Sequence, residues 1–183
     1  MMGIMPTHVV AQFCSTLRAV LFVWLAEGMI AGTNPAGAID NAPDGRGYSA
    51  TEQLQRFRED AEEGSALAQY VLGVMHQLGE AVPQDHIEAA KWLHRAADQG
   101  LALAQFVLGG MYVNGHGVPE DVVRAHMWLD LSAAHAARIA GARKLTRDAQ
   151  EMRAALAGKM TAAEIEEAQK LAREWKPKPE RKL

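Results

Sequence analysis

The sequence predicts an all-α protein, a short α-solenoid of about six helices arranged as antiparallel pairs, which follows an N-terminal signal segment. Three observations support this prediction. The composition is rich in small apolar residues, a segment of 36 residues occurs twice in succession, and each copy has the periodicity of two helices. Stacked units of this kind bury faces that no single unit could bury alone.

The composition limits the classes to which the chain can belong. Its 183 residues suffice for about one ordinary domain, and 33 of them are alanine whereas only 6% of the residues are aromatic. A core built from such small side chains favours close contacts between helices. A formal net charge of -3 gives no overall basic surface of the kind that nucleic-acid binders show, so we expect no nucleic-acid partner.

Residues 1–38 are typical of an export signal. An eight-residue apolar block, AVLFVWLA over residues 19–26, follows Arg18, and the small residues AGA stand at 36–38, where cleavage is expected. The block is shorter than the roughly 20 residues that a membrane-spanning helix requires. We therefore expect cleavage after Ala38 and a periplasmic or secreted protein without an integral membrane span. The alternative is an N-terminus that stays uncleaved and associated with the membrane.

Residues 61–96 and 97–132 are two copies of one unit. Laid over each other without a gap, they share 17 identical residues in 36 positions. Each copy contains two apolar stripes at helical spacing, which predict two helices. The shared residues to which we assign structural roles are glycines and tryptophans: Gly64, Gly73, Gly79, Trp92, Gly100, Gly109, Gly115 and Trp128.

The shared glycines have two predicted roles. Those that follow the last apolar position of a helix, such as Gly79 and Gly115, are expected to be left-handed C-caps. Gly73 and Gly109 fall inside helices, where glycine costs about 0.5–1 kcal/mol relative to alanine. Because they recur at the same phase of both units, they indicate a backbone that must be approached closely.

The first full unit is preceded by a linker and a partial unit. Residues 39–49 combine Asp, Asn, Pro and Gly without periodicity and are predicted to be a linker. Residues 50–60 have the phase of a second helix and form an N-terminal half-unit. Within the full units, Pro83 and Pro119 are expected to open the second helices, because proline is tolerated in the first turn.

An atypical unit over residues 133–175 follows the second copy, as expected of a terminal repeat that turns one face to water. It starts with a long, alanine-rich and basic helical stretch over residues 136–160. A last helix then begins with a capping box, TAAE over residues 161–164. The repeat solenoid thus spans residues 50–175, and residues 176–183 are expected to be a basic, disordered tail.

The repeated pattern A-x-x-G-x-A-x-A-Q-Y/F-x-L-G-x-M-x-x-x-G-x-x-V-P-x-D-x-x-x-A-x-x-W-L resembles that of the Sel1-like repeats, which are relatives of the tetratricopeptide repeats. The stretch MTAAEIEEAQKLAREWKPK is also similar to the ending of bacterial members. The resemblance implies a right-handed solenoid and a non-catalytic scaffold of the cell envelope that binds a protein or peptide partner. One departure, Glu80-Ala81 where the second unit has His116-Gly117, questions the loop geometry of the first unit but not the fold.

By analogy with tetratricopeptide repeats, the first helix of each unit lines a concave groove. A groove of aromatic, small and amide side chains suits an extended peptide or a partner helix. The alternative is that the two aromatic residues simply pack between helices. The predicted groove residues are Tyr70, Val74 and Gln77 in the first unit and Phe106, Gly110 and Val113 in the second.

The charge is unevenly distributed along the chain. Residues 39–137 have a formal balance of -8, whereas residues 138–183 have a balance of +5. One hypothesis is a basic surface that docks an acidic partner or an anionic envelope surface, and whose binding weakens as salt rises. The alternative is a soluble end-cap. The predicted basic residues are Arg138, Arg143, Lys144, Arg147 and Arg153.

The sequence carries no motif for catalysis, for a cofactor or for a metal site. Its histidines do not recur at the repeat period and form no H-E-x-x-H motif, and no serine or threonine is paired with a base. Some disulfide-rich relatives have been linked to β-lactam binding or hydrolysis, but Cys14 is the single cysteine of this chain. We therefore expect a protein that is not an enzyme; the alternative is an envelope enzyme or β-lactam-binding protein on the same solenoid.

Overall fold

The computed structural model describes residues 50–179, which contain seven α-helices and no strand. The predicted signal segment, its cleavage point, the linker and residues 180–183 lie outside this range. The prediction of an all-α protein is confirmed, with seven helices in place of about six. The helices are α1 (Ala50–Glu62), α2 (Ala66–Leu78), α3 (His86–Asp98), α4 (Ala102–Asn114), α5 (Val122–Ala136), α6 (Arg143–Ala157) and α7 (Ala162–Glu174).

The chain divides into two compact units, Met1–Arg56 and Phe57–Leu183. Of the first unit, the described residues include only the beginning of α1. In the second unit, α2 packs against α3, α3 against α4, and α4 against α5, which also contacts α6 and α7. Its core consists of alanines around fully buried larger side chains, among them Leu72, Leu93, Leu108, Met111 and Leu129.

Two interior glycines allow the paired helices to approach closely. A Cβ atom at Gly73 would lie 2.6 Å from Cγ of Leu93, and one at Gly109 would lie 2.9 Å from Cγ of Leu129. Both leucines are fully buried and occupy the same position of the two repeats. The predicted close approach is confirmed, and the group that approaches each glycine most closely is a leucine side chain.

The predicted C-cap glycines and the predicted capping box are confirmed. The glycines expected to be C-caps, Gly64, Gly79, Gly100 and Gly115, all have positive φ, between 66° and 100°. The capping box of α7 is present: the Glu164 backbone N–H donates to Thr161 Oγ1 at 3.3 Å, and the Thr161 backbone N–H donates to Glu164 Oε2 at 2.7 Å. These local signals therefore identify the helix boundaries at these positions.

The second helix of each repeat begins after its proline. The prediction that Pro83 and Pro119 open these helices is wrong, because α3 and α5 begin three residues later. Their N-caps are Asp85 and Asp121. Each carboxylate accepts a hydrogen bond of 2.9 Å from a backbone N–H of the first turn, which satisfies a donor that has no partner within the helix.

The loop of the first repeat has the geometry of the second despite its different sequence. Ala81 has a φ of 63°, and Gly117 at the equivalent position has a φ of 72°. The backbone hydrogen bond that closes the loop is also shared, with Asp85 N–H donating to the His76 carbonyl at 2.9 Å and the equivalent pair at 3.0 Å. Because an L-residue with a Cβ adopts this conformation at a cost of roughly 1–2 kcal/mol, the first loop is strained.

The sequence predicts one continuous helical stretch over residues 136–160, and this prediction is wrong. Helix α5 ends at Ala136 and α6 begins at Arg143, and the turn between them contains Gly141 with a φ of 87°. A left-handed residue cannot continue a right-handed helix. The chain therefore turns, and α6 packs back against α5.

Replacing an interior glycine with alanine should destabilise the protein. In Gly73→Ala the new Cβ would meet Leu93, and displacing a packed side chain costs about 1–3 kcal/mol, against about 1 kcal/mol gained by alanine in a helix. We expect the free energy of unfolding, measured by urea titration, to fall by up to about 2 kcal/mol. The control is Gly158→Ala, where φ is already -63° and the nearest contact of a Cβ would be 3.6 Å. Equal losses in the two variants would contradict the close-approach role.

Relieving the strain at Ala81 should stabilise the protein. We expect Ala81→Gly to raise the free energy of unfolding by about 0.5–1 kcal/mol, because the strain that is removed exceeds the entropy that glycine adds to the unfolded chain. The reverse exchange, Gly117→Ala, should destabilise strongly, because its Cβ would lie 1.9 Å from the His86 carbonyl oxygen. An Ala81→Gly variant less stable than the wild type would refute the strain.

Candidate protein-binding surfaces

The predicted groove is mostly closed by packing. Helix α4 lies between α3 and α5, and ten of its 13 residues are buried, so few of its side chains can line a surface. Gln77 and Phe106 are half-buried, whereas Tyr70 packs inside, as the alternative proposed, and burial raises the pKa of its phenol. The predicted groove residues that the structure places in the core are Tyr70, Val74, Gly110 and Val113.

Two leucines of the first helices do reach the surface, although the groove prediction omits them. Leu67 is 40% exposed, and Leu103, its equivalent in the second repeat, is half-buried. Each lies three residues before the aromatic position of its helix. The sequence contains a signal for this position, because the leucine is identical in the two units. Leu67, Leu103, Gln77 and Phe106 are thus side chains of α2 and α4 that a partner could touch.

Buried amide groups connect successive helix pairs. The Nε2 group of Gln69 donates to a carbonyl oxygen of α1 at 2.9 Å, and that of Gln105 donates to a carbonyl oxygen of α3 at 3.1 Å. This leaves each Oε1 as an acceptor. Gln69 Oε1 accepts from Gln99 Nε2 at 2.8 Å, and Gln105 Oε1 accepts from His135 Nδ1, also at 2.8 Å. His135 therefore carries a hydrogen on Nδ1.

Aromatic rings cluster where the second repeat meets the segment after α7. The buried Trp128 makes edge-to-face contacts with His94 at a centroid distance of 6.1 Å and with Trp175 at 6.4 Å. His94 Nε2 lies 3.0 Å from the Tyr112 hydroxyl, and the His135 ring lies 5.3 Å from Trp175. The cluster joins α3, α4 and α5 to the chain that leaves the last helix.

The segment after α7 is held against α3, which differs from the predicted disordered tail. The Lys178 backbone N–H donates to the Asp98 carbonyl at 2.8 Å, and Lys178 Nζ donates to Asp98 Oδ2 at 3.3 Å. Asp98 is the last residue of α3, where carbonyl groups lack partners within the helix and a positive charge is favoured. The Lys178 backbone N–H supplies a donor for such a carbonyl, and its ammonium group supplies the positive charge.

The predicted basic surface is partly neutralised by acidic neighbours. Within residues 50–179, Arg138 and Arg143 have no acidic side chain within ion-pair distance, and both are exposed. Positive charge is thus concentrated near the turn between α5 and α6. The remaining residues form ion pairs: Lys144 with Asp148, Arg147 with Asp148 and Glu151, and Arg153 with Asp130.

An open depression of about 270 Å³ lies at the turn between α5 and α6. Ile139, one of its lining residues, is 54% exposed and is flanked in the depression by Arg143 and Arg147. An exposed aliphatic side chain beside cations combines apolar contact with charge in one place. The complete lining is Ala136, Ala137, Ile139, Arg143, Thr146, Arg147 and Gln150.

Imidazole groups of the described part of the chain are partly shielded from water. Desolvation is the largest cause that lowers the pKa of four of them, so their neutral forms are favoured. Between residues 50 and 179, no group of three or more His, Asp or Glu side chains could hold a metal ion. The four residues are His94, His116, His126 and His135.

Comparison with protein families identifies the repeat. Residues 66–101 and 102–136 match the Sel1 repeat. The chain contains two Sel1 repeats. Each matched segment begins at the first residue of α2 or α4, so that one Sel1 repeat corresponds to one packed helix pair. A comparison with curated proteins gives no match, and none of the described helices is long and apolar enough to span a bilayer.

Two solved structures of Sel1-type proteins are similar to the chain. The first is a protective antigen of uropathogenic Escherichia coli strains that displays an SLR fold, with 31% identity and a TM-score of 0.57 over 67% of this chain. The match covers 24% of that antigen, so this chain spans about a quarter of its length. The second is a Sel1 repeat protein from Oxalobacter formigenes, with 32% identity and a TM-score of 0.47 over 50% of this chain and 37% of that chain. The likeness to the antigen confirms the helical solenoid.

The Sel1 repeats should lose stability as the pH falls below about 6.5. The histidines with lowered pKa bind fewer protons in the folded chain than in the unfolded chain, so acid favours unfolding. Their contribution is present above the unfolded pKa of 6.5 and is lost as the pH falls from there through their lowered pKa in the folded chain. We expect a lower urea midpoint at about pH 5.5 than at about pH 7.5, where most carboxylates stay ionised. His94→Asn should reduce this difference; a midpoint that is unchanged or higher in acid would disprove the prediction.

Proposed function

We propose that this Sel1-repeat chain is a non-catalytic adaptor of the cell envelope, which binds an acidic protein segment at its C-terminal unit. Sel1-repeat proteins generally mediate protein–protein interactions. The observation that carries the proposal is the depression between α5 and α6, where an exposed isoleucine lies beside two arginines. The envelope location is supported by the signal-like pattern of residues 1–38.

The basic surface near the turn between α5 and α6 is a better candidate for the binding site than the predicted groove. The groove offers few reachable side chains, because most of its predicted members are buried. Arg138 and Arg143, in contrast, are exposed. Guanidinium groups bind carboxylates through two parallel hydrogen bonds, which gives specificity for acidic side chains. The formal balance of +5 over residues 138–183 adds long-range attraction to such a segment.

Ile139 would serve as the apolar anchor of this interface. Its side chain is 54% exposed, and covering it removes apolar surface from water at about 25 cal/mol per Å². Interface energy is concentrated in a few residues, among which arginine is enriched. The bound segment is therefore expected to present an aliphatic side chain flanked by Asp or Glu.

Site-specific crosslinking followed by binding measurements tests this function. A photoreactive residue placed at the exposed Ala140 would capture the partner in intact cells, and its affinity would then be measured with purified proteins. We expect Ile139→Ala with Arg143→Ser to weaken binding about tenfold, which corresponds to about 1.4 kcal/mol. Binding by the wild type should also weaken as salt rises.

A matched control removes one isoleucine and one cation elsewhere. Ile87 in α3 is 62% exposed and Lys170 in α7 is exposed, so Ile87→Ala with Lys170→Ser deletes one isoleucine and one cation outside the depression. This variant should bind like the wild type. Equal losses of affinity in the two double variants, or an affinity that salt does not affect, would reject the basic surface as the interface.

A further inference from the structure

Residues 175–179, which we name the strap, lie against the second Sel1 repeat. We name as the strap seat the residues of the repeats that hold them: Asp98, Gly100, Trp128 and His135. The strap follows α7 in extended conformation, with a φ of -64° and a ψ of 139° at Trp175. The seat and the strap share no residue with the depression between α5 and α6, although His135 directly precedes Ala136, which lines it.

The strap has two anchors, three positions apart. At the first, the Trp175 indole lies over the left-handed turn of Gly100, where an added Cβ would be 3.6 Å from Cη2, and its ring contacts Trp128 and His135. At the second, Lys178 bonds to Asp98 through both its backbone N–H and its ammonium group. A segment with an aromatic residue and, three positions later, a lysine can therefore make both contacts with the seat.

Prolines prepare the strap for this seat. Pro177 and Pro179 fix their own φ and disfavour helical conformation at Lys176 and Lys178, which precede them. An extended, proline-containing segment loses little conformational freedom when it binds. Docking therefore depends on a short linear pattern that another protein segment could also carry.

The attachment of the strap is weak enough to be exchanged. The Lys178 side chain is 75% exposed and the Asp98 side chain 33%, so water screens their ion pair. The Trp175 Nε1–H is buried without a hydrogen-bond partner among the described residues, which opposes docking. Residues 176–179 are exposed. The strap is thus held by an indole contact and two hydrogen bonds to one residue.

The turn of the seat does not owe its form to the strap, because the first repeat has the same turn without such a segment among the described residues, with Gln99 in the place of His135. Glu62 ends α1 as Asp98 ends α3, and Gly64 has a φ of 100° where Gly100 has 91°. Trp92 occupies the position of Trp128, although the Arg95 guanidinium lies over its ring at 4.6 Å. Because repeat packing forms this turn, the seat is expected to keep its shape when the strap leaves.

We propose that the strap seat is a peptide-recognition site that the chain itself occupies. The partner is an extended protein segment with an aromatic residue and, three positions later, a lysine, and it binds by replacing the strap. The strap limits access to such partners, since a tethered segment competes at high effective concentration. This proposal goes beyond the adaptor function and does not depend on the depression at α5 and α6.

Peptide binding to the full chain tests the proposal. The probe is a fluorescent peptide of residues 174–179, EWKPKP, and the receptor is the full chain with Trp175→Ala and Lys178→Ala, which detach the strap and leave the seat intact. Fluorescence anisotropy should show saturable binding, at least about tenfold weaker for the wild type, whose strap competes. Adding Asp98→Ala to the receptor should weaken binding, as should replacing Trp or Lys in the peptide.

Controls separate this proposal from the adaptor function and from general charge attraction. A scrambled peptide of the same composition should not bind, and Ile139→Ala with Arg143→Ser in the detached receptor should not change the affinity. Equal binding of the scrambled peptide, or no binding to a folded receptor, would overturn the proposal. Loss of the adaptor partner alone would leave peptide binding unaffected.

Hydrogen exchange on the wild type provides a second measurement that requires no receptor variant. The Lys178 amide donates to the Asp98 carbonyl at 2.8 Å, so docking of the strap should slow its exchange. Excess unlabelled EWKPKP should accelerate exchange in residues 175–179 and leave α4 unchanged, because the peptide displaces the strap. Exchange in the strap that does not respond to peptide would count against the proposal even if the variants failed to fold.

Discussion

The contact of a buried leucine with a glycine of the facing helix sets the geometry of both Sel1 repeats. It occurs between Gly73 and Leu93 and again between Gly109 and Leu129. With the helices at this distance, alanine suffices to fill much of the core, where 13 alanines of the described residues are buried. Identical spacing in both repeats also places Gln69 and Gln105 where each can bond to the carbonyl of the preceding helix. The polar connections between repeats thus follow from an apolar constraint.

The sequence predicts local features of this fold well, because they depend on residues near one another. The helical pairs, the C-cap glycines and the capping box at Thr161 each need only a few neighbouring positions. Helix boundaries that depend on backbone conformation are harder to predict. The break at Gly141 was missed because the surrounding alanines and arginines favour helix, and a single left-handed residue overrides them. At Ala81 the loop instead imposes a left-handed backbone conformation on a residue type that disfavours it.

The candidate binding sites were less predictable, because they depend on packing between distant residues. Tyr70 and Val113 have the correct helical phase for a groove, yet neighbouring helices cover them. The basic stripe was recognised from charge alone, but the sequence did not show which arginines are paired or that Ile139 is exposed beside them. The strap could not be predicted, since its contact joins residues separated by 80 positions. Lys178 is one of several basic residues near Pro177, and nothing in the sequence around it indicates a contact with Asp98.

The strap follows every residue of its seat in the chain, and this order has a consequence for protein synthesis. A ribosome adds about 5–20 residues per second, so Lys178 is made roughly 2–9 s after His135, the last residue of the strap seat. Helix pairs form far faster than this. On each newly made molecule, the strap seat therefore exists for some seconds before the chain can cover it. A partner present where the chain emerges and folds would meet no internal competitor during that interval.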